Sequence, residues 1–111
     1  LGKFDEAVKA LDSFDGNDQM VAPAMKGAMG NCYAQLGQLD KASSMLLKAA
    51  DEADNTTLSP IYLKQAGEIL VKQGKYDDAI KAYTSIKEKY FRSYQAMDID
   101  KYIEQAKLLK K

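Results

Sequence analysis

Few side chains in this chain could do chemistry, and none lies in a pattern typical of a catalytic site. The 111 residues include no histidine and one cysteine. The commonest general base and the commonest metal ligand at neutral pH are therefore absent. Cys32 has neither a second cysteine to pair with nor a histidine to activate it. We interpret it as a small buried apolar residue.

Three polar patterns have simpler explanations than a site. Asp15-Gly16-Asn17-Asp18 is similar to the start of a calcium loop, but its twelfth position is Lys26, where a bidentate glutamate is needed. We predict a solvated turn at residues 15–18. Asn55-Thr56-Thr57 matches a glycosylation acceptor, which acts only in a eukaryotic secretory chain. Asp77-Asp78 lies at a predicted helix start. We therefore predict no catalytic residue, no metal site, no cofactor and no enzyme.

Composition excludes two further classes of function. The chain has 16 Lys+Arg and 16 Asp+Glu residues, so it lacks the basic excess that a nucleic-acid binder needs to neutralise phosphates. No apolar run approaches the ~20 residues that span a bilayer, and we expect no direct membrane contact by this segment. The chain begins at Leu1, and we expect it to be a fragment of a longer protein. Its compartment stays open between cytoplasm and periplasm.

An internal repeat organises the elements that must position any functional residue. The segments 1–7, 36–42 and 73–79 align without gaps as x-Gly-(Lys/Gln)-(aromatic or Leu)-Asp-x-Ala. The last alanines of the three segments are 35 and 37 residues apart, and Pro23 and Pro60 are also 37 residues apart. A repeat of this length predicts a stack of similar supersecondary units.

Apolar residues between these markers recur at helical spacing, and strand patterns are absent. We predict that Gly37 and Gly74 end the first helix of each unit in a left-handed conformation. Ser59 is predicted to cap the next first helix, with Pro60 in its first turn. The seven tyrosines fall largely on inward stripes, and we interpret them as core residues.

Small residues indicate where paired helices cross. Gly30 and Gly67 are predicted to face inward on first helices, as Ala42 and Ala79 are on second helices. With almost no side chain at the crossing, two helix backbones can approach closely. The larger residues predicted to fill the space on either side are Tyr33, Leu46, Leu70 and Tyr83.

These residues resemble the tetratricopeptide repeat, whose signature is Trp-x2-Leu-Gly-x2-Tyr, then Ala-x3-Phe, then Pro. The opening Trp and the late Pro are missing, and the steps of 35 and 37 exceed the usual 34. The matching positions are Lys26, Met29, Gly30, Tyr33, Ala42 and Leu46 in one copy, and Leu63, Ala66, Gly67, Leu70, Ala79 and Tyr83 in the next.

The resemblance implies an all-α fold, an α-solenoid of antiparallel helix pairs with about six helices. We expect residues 1–111 to form a single domain. Within it, residues 1–20 would be the second helix of a truncated repeat, 22–55 and 59–91 full repeats, and 93–111 a capping helix. In that last segment Ser93 is the predicted cap, and an apolar stripe runs through Ala96, Ile99, Tyr102, Ile103, Ala106 and Leu109.

The first segment has an apolar face without its expected partner helix. This face consists of Phe4, Val8, Leu11 and Phe14, with Ala7 between them. An exposed face of this kind favours association. We predict that the chain forms a homodimer through it.

The resemblance also implies that the concave surface lined by first helices binds a protein or peptide partner. The candidate binding residues carried over by position are Asn31, Gln35, Lys64, Glu68 and Lys72. The Lys and Asn pair that holds a C-terminal carboxylate in some members is incomplete, because Asn31 follows Gly27 and Lys64 precedes Glu68. An extended segment and a helix both stay open as occupants. The alternative function is a structural module for self-assembly within a larger, membrane-anchored bacterial protein.

Overall fold

The structure, a computed structural model, describes Glu6 and residues 21–110. These residues contain no strand, and each α-helix packs against the next one along the chain. The all-α prediction is confirmed; the helix expected within residues 1–20 lies outside the described residues. The elements are α1 (Val21–Gln35), α2 (Leu39–Ala53), α3 (Ser59–Lys72), α4 (Tyr76–Lys89), a 3-10 helix (Gln95–Asp98) and α5 (Ile99–Lys110).

Glycines end α1 and α3, as predicted. Gly37 has φ 79° and Gly74 has φ 76°, the left-handed conformation that glycine adopts without a steric penalty. The N–H of Gly37 donates to the carbonyl of Ala34 at 3.1 Å, and the N–H of Gln38 donates to that of Tyr33 at 2.9 Å. The same two bonds recur after α3. This Schellman arrangement turns the chain directly into the second helix of each pair.

Small residues bring the paired helices into close contact, which confirms the role predicted for Gly30 and Gly67. A Cβ atom at Gly30 would lie 2.7 Å from Cγ of Leu46, and one at Gly67 would lie 2.7 Å from Cζ of Tyr83. Neither distance leaves room for a methyl group. Ala42 and Ala79 are fully buried, as are the side chains of Leu46 and Ile86.

Hydrogen bonds of the Ser59 side chain join the first helix pair to the second. The hydroxyl of Ser59 donates to the carbonyl of Ala50 at 2.7 Å and accepts from the N–H of Asn55 at 3.1 Å. The prediction that Ser59 caps α3 is wrong, since its oxygen serves α2 and the preceding connection. The N-cap residue is Leu58, which makes no side-chain cap.

The residue that follows α4, Tyr90, also bonds to the connection between α2 and α3. Asp54 has a left-handed φ of 41°, and its carboxylate accepts a hydrogen bond from the hydroxyl of Tyr90 at 2.9 Å. Burial raises the pKa of Tyr90, and the bond to Asp54 adds to the rise. Two successive helix pairs are therefore tied together at this edge.

Two aspartates link successive units at the opposite edge of the stack through ion pairs and hydrogen bonds. Asp40, in the first turn of α2, accepts from Nζ of Lys75 at 3.0 Å and from Nε2 of Gln73 at 2.5 Å. These bonds lower the pKa of Asp40. Asp77, its counterpart 37 residues later, pairs with Lys110 of α5 at 2.6 Å. Each second helix thus begins with an aspartate held by the following unit.

The last helix closes the stack. Ile99, Ile103 and Ala106 are buried, as the predicted stripe requires, but Leu109 is 55% exposed and does not belong to it. Ser93 precedes a 3-10 turn, and its hydroxyl accepts from the N–H of Ala96 at 3.2 Å; the α-helix itself begins six residues later, at Ile99.

Candidate interaction surface

Exposed polar side chains recur in the same register on the two first helices. Asn31 and Gln35 are exposed on α1, and Glu68 and Lys72 are exposed on α3, each 37 residues later. Residues four apart lie on one face of a helix. The ring of Tyr62 on α3 lies against Gly27 of α1, so the two helices are neighbours. The structure thus places four of the predicted residues on adjacent helices in equivalent positions.

Lys64, the fifth predicted residue, lies at a contact between elements. Its Nζ atom is 4.4 Å from the centre of the Tyr102 ring on α5, in a cation–π arrangement, and the residue is half-buried. Gly27 occupies the same position in the preceding unit, where a Cβ atom would lie 2.8 Å from Cζ of Tyr62. The residue at this position therefore contacts the next unit, and only a small part of the Lys64 side chain is exposed to a partner.

Gln65 belongs to the same face, although the sequence reading did not single it out. It lies three residues before Glu68 and seven before Lys72, so it shares their helix face. Its Oε1 atom is covered and has no hydrogen-bond partner. Positions 65, 68 and 72 are three and four residues apart, and this helical spacing is the sequence signal that could have identified Gln65. We call the surface formed by Asn31, Gln35, Gln65, Glu68 and Lys72 the first-helix surface.

The charges of this surface are balanced. Glu68 and Lys72 are one turn apart and carry opposite charges, while Asn31, Gln35 and Gln65 are neutral amides. The five ion pairs among the described residues include neither Glu68 nor Lys72. Burial raises the pKa of Tyr83, beneath α3, to about 12, and the negative charge of Glu68 adds to the rise. The surface offers hydrogen-bonding groups without a net charge.

A separate cleft lies between the two second helices. Its volume is about 490 Å³, and none of its lining residues belongs to the first-helix surface. Its buried apolar residues are Leu63 and Leu70 of α3 and Ala82 of α4. The side chains around them include Leu47 and Asp51 from α2 and Lys81, Ser85 and Lys89 from α4.

An exposed apolar row follows α4 and was not expected from the sequence. Phe91, Tyr94 and Met97 are 65%, 82% and 80% exposed. The N–H groups of Ser93, Ala96 and Met97 each donate to the carbonyl three residues earlier. Residues three apart lie on one side in such a conformation. The interpretation of the tyrosines as core is therefore wrong for Tyr94.

The other candidate patterns do not form a site. Asn55 uses its side-chain oxygen to accept from the N–H groups of Thr57 and Leu58, at 3.0 and 2.7 Å, which stabilises the local turn. Cys32 is half-buried, less enclosed than predicted. Among the described residues, no three His, Cys, Asp or Glu side chains are grouped so that they could hold a metal ion.

Two predictions fall on the first segment. The self-association face of Phe4, Val8, Leu11 and Phe14 and the turn at residues 15–18 lie outside the described residues. Both stay predictions. Of the helices that the structure does describe, none is long and apolar enough to cross a membrane.

Comparison with known proteins identifies one repeat unit. Residues 24–56 match the family model described as tetratricopeptide repeat. The match covers α1 from its fourth residue, all of α2 and the first three residues of the connection that follows α2. No curated protein and no solved structure matches the chain.

Proposed function

We propose that this chain, which carries a tetratricopeptide repeat at residues 24–56, presents a groove lined by its first helices to a protein or peptide partner. Tetratricopeptide repeats generally mediate protein–protein interactions and are typically non-catalytic. In this proposal residues 22–55 and 59–91 are complete repeats, and 93–111 caps the stack. The module acts by holding a surface rigid and performs no reaction.

The observation that carries the proposal is the repeated register of exposed polar residues on a closely packed scaffold. Asn31 and Glu68 are equivalent, as are Gln35 and Lys72, and all four are exposed. The helices beneath them are fixed by contacts at Gly30 and Gly67 that leave no space for a methyl group. A preorganised surface loses little conformational freedom when a partner binds, which favours affinity.

A pair of matched variants tests this surface. In the first variant, the substitutions are Asn31→Ala, Gln35→Ala, Glu68→Ala and Lys72→Ala. In the control they are Ser44→Ala, Asp51→Ala, Lys81→Ala and Ser85→Ala on the second helices. Each set removes four polar groups and leaves the net charge unchanged. Lys64 is kept in both, since its contact with Tyr102 supports the fold.

The measurement is quantitative mass spectrometry of proteins retained by the full chain from a lysate of its source cells. We expect the first variant to retain its specific partners at least about fivefold less than the unmodified chain, and the control to retain them equally. Circular dichroism melting of both variants checks that they are folded. Loss of partners in the control alone would place binding at the second-helix cleft and contradict the proposal.

A further inference from the structure

Two parts of the chain outside the first-helix surface have matching apolar character. One is the exposed row of Phe91, Tyr94 and Met97, which we call the apolar row. The other is the second-helix cleft, whose buried side chains on α3 and α4 are apolar. Large apolar side chains that are exposed together commonly mark an association site. The chain therefore carries both a projecting apolar group and an apolar recess.

The row and the cleft also match in size. The N–H groups of Ser93, Ala96 and Met97 donate to carbonyls three residues earlier. A rise of ~2 Å per residue in this conformation makes the row about 12 Å long. Along α4 the cleft extends from Asp78 to Lys89, which corresponds to about 16 Å of helix. Its volume of about 490 Å³ is within the ~300–1,000 Å³ of typical binding pockets. The row of a second copy therefore fits along the cleft.

Charged side chains beside the row have possible partners in the cleft. Arg92 and Asp98 are exposed and directly follow the first and the last residue of the row. The cleft is lined by two negative and two positive side chains, those of Asp51, Asp78, Lys81 and Lys89. None of these six residues takes part in the five ion pairs that the structure records among the residues it describes. An acidic and a basic partner are thus available for Arg92 and Asp98.

The area of contact decides the kind of assembly. Large aromatic side chains bury ~150–250 Å² each, so a row that is 65–82% exposed offers roughly 400 Å² per copy. One row in one cleft then removes about 800 Å² from water in total, which is typical of weak contacts, whereas two reciprocal contacts remove about 1,600 Å², the size of a standard specific interface. Lys89 lines the cleft and lies two residues before Phe91, so the two parts are adjacent on the molecule. A two-fold axis can therefore pair both at once.

We propose that two copies of this chain form a two-fold dimer in which the apolar row of each copy lies in the second-helix cleft of the other. The row then covers Leu63 and Leu70 of the cleft, and Arg92 and Asp98 meet the charges along its sides. This dimer differs from the one predicted through residues 4–14. It goes beyond the proposed function, and it uses no residue of the first-helix surface. Each dimer therefore presents that surface twice, which strengthens binding to a partner with two sites.

The row is tested by sedimentation velocity of the full chain at increasing micromolar concentration. The row variant carries Phe91→Ser and Met97→Ser. Its matched control carries Leu108→Ser and Leu109→Ser, which replace apolar residues of α5 that are 66% and 55% exposed. We expect the row variant to raise the dimer dissociation constant at least about tenfold and the control to leave it unchanged. An unmodified chain that stays monomeric would overturn the inference.

The cleft is tested in the same way. Ser85→Arg places a long charged side chain among the residues that line it, where Ser85 is half-buried. Ser44→Arg is the matched control, since Ser44 is exposed on α2 and does not line the cleft. We expect only Ser85→Arg to raise the dissociation constant at least about tenfold. Circular dichroism melting checks that all variants are folded. Equal effects of Ser85→Arg and Ser44→Arg would overturn the inference.

Mixing the row variant with the Ser85→Arg variant shows which surfaces touch. The first keeps an intact cleft and the second keeps an intact row, so one of the two contacts can form between them. Fluorescently labelled row variant is sedimented with an excess of the other. We expect an association at least about tenfold tighter than that of either variant alone, and weaker than that of the unmodified chain.

Two further outcomes would contradict row-to-cleft pairing. If both variants associate as the unmodified chain does, the dimer forms elsewhere, and the predicted face within residues 4–14 becomes its explanation. If the row variant loses association and the mixture does not recover it, rows pair with rows. Neither outcome affects the proposed function, because the matched alanine variants test the first-helix surface separately.

Discussion

The contact between Gly67 and Tyr83 sets how close α3 and α4 can come. A Cβ atom at position 67 would lie 2.7 Å from Cζ and 2.9 Å from Cδ1 of a ring that is itself buried. We expect Gly67→Ala to lower the free energy of unfolding by ~1–3 kcal/mol, since overpacking forces the ring or the helix to shift. Helix propensity alone would raise it by ~1 kcal/mol. Urea denaturation decides between the two, and a stabilised variant would contradict the packing described here.

Tyr83 also makes the fold sensitive to alkaline pH. Its pKa is raised to about 12, mainly by burial, so the folded state holds the neutral phenol while the unfolded chain ionises near its ordinary value of ~10. The stabilising effect is complete below pH ~10 and is lost as the pH rises through about 12. We expect Tyr83→Phe to reduce the dependence of unfolding free energy on pH above 10, as measured by urea denaturation at several pH values. An unchanged dependence would show that Tyr83 ionises equally in both states.

Single residues were predictable where one physical requirement dominates. Gly30 and Gly67 were recognised because a helix crossing needs a missing side chain, and their contacts confirm it. Ser59 was assigned wrongly, because a serine before a proline is typical of a helix cap, whereas its hydroxyl bonds to Ala50, nine residues earlier. Gln65 was missed because the unpaired state of its oxygen depends on what covers it in three dimensions.

At the scale of elements, the glycine that ends α3 permits a test of backbone conformation alone. Gly74 has φ 76°, and a Cβ atom there would meet nothing within 4 Å. We expect Gly74→Ala to cost ~1–2 kcal/mol of stability through the left-handed backbone. Gly74→Asn should cost less, because asparagine tolerates this conformation better. Thermal denaturation of the two variants checks this, and equal costs would point away from backbone strain.

The connection between α2 and α3 depends on the hydroxyl of Tyr90. Tyr90→Phe removes the 2.9 Å hydrogen bond to Asp54 and should lower the free energy of unfolding by ~0.5–1.5 kcal/mol. Tyr94→Phe is the matched control, since Tyr94 is 82% exposed and its hydroxyl makes no hydrogen bond to a described residue. It should leave stability unchanged. Chemical denaturation of both variants gives the two changes in the free energy of unfolding. Changes of similar size would contradict the stabilising role assigned to the hydrogen bond between Tyr90 and Asp54.

Helices with a clear apolar period and a glycine stop were predictable, and the segment after α4 was not. Apolar spacing located α1 to α4, and Gly37 and Gly74 marked where the first helices end. The residues around Met97 follow a three-residue period with apolar side chains facing outward, which reverses the usual relation between hydrophobicity and burial. The stripe predicted for one continuous helix also included Leu109, which is exposed.

For the whole molecule, the repeat predicted the order of the helices. Which residues are exposed on the first-helix surface depends on how those helices are arranged in space, and the repeat alone does not give that arrangement. A 37-residue translation relates Asn31 to Glu68 and Gln35 to Lys72, so the sequence alone paired them. It assigned Lys64 to the same open surface, whereas Tyr102 of α5 contacts it. The position of α5 could not be derived from the repeat, because residues 90–98 form a longer connection than residues 54–58 do.

The most direct test of the account is to ask which side of the stack touches a partner. A photo-crosslinking amino acid is introduced singly at Asn31, Lys72, Lys48 and Lys81, which are all exposed, the first two on first helices and the others on second helices. After irradiation in the source-cell lysate, the yield of crosslinked partner is measured for each position. The account predicts a yield at least about fivefold higher at positions 31 and 72 than at 48 and 81. Equal yields on both sides, or a higher yield from the second helices, would contradict it.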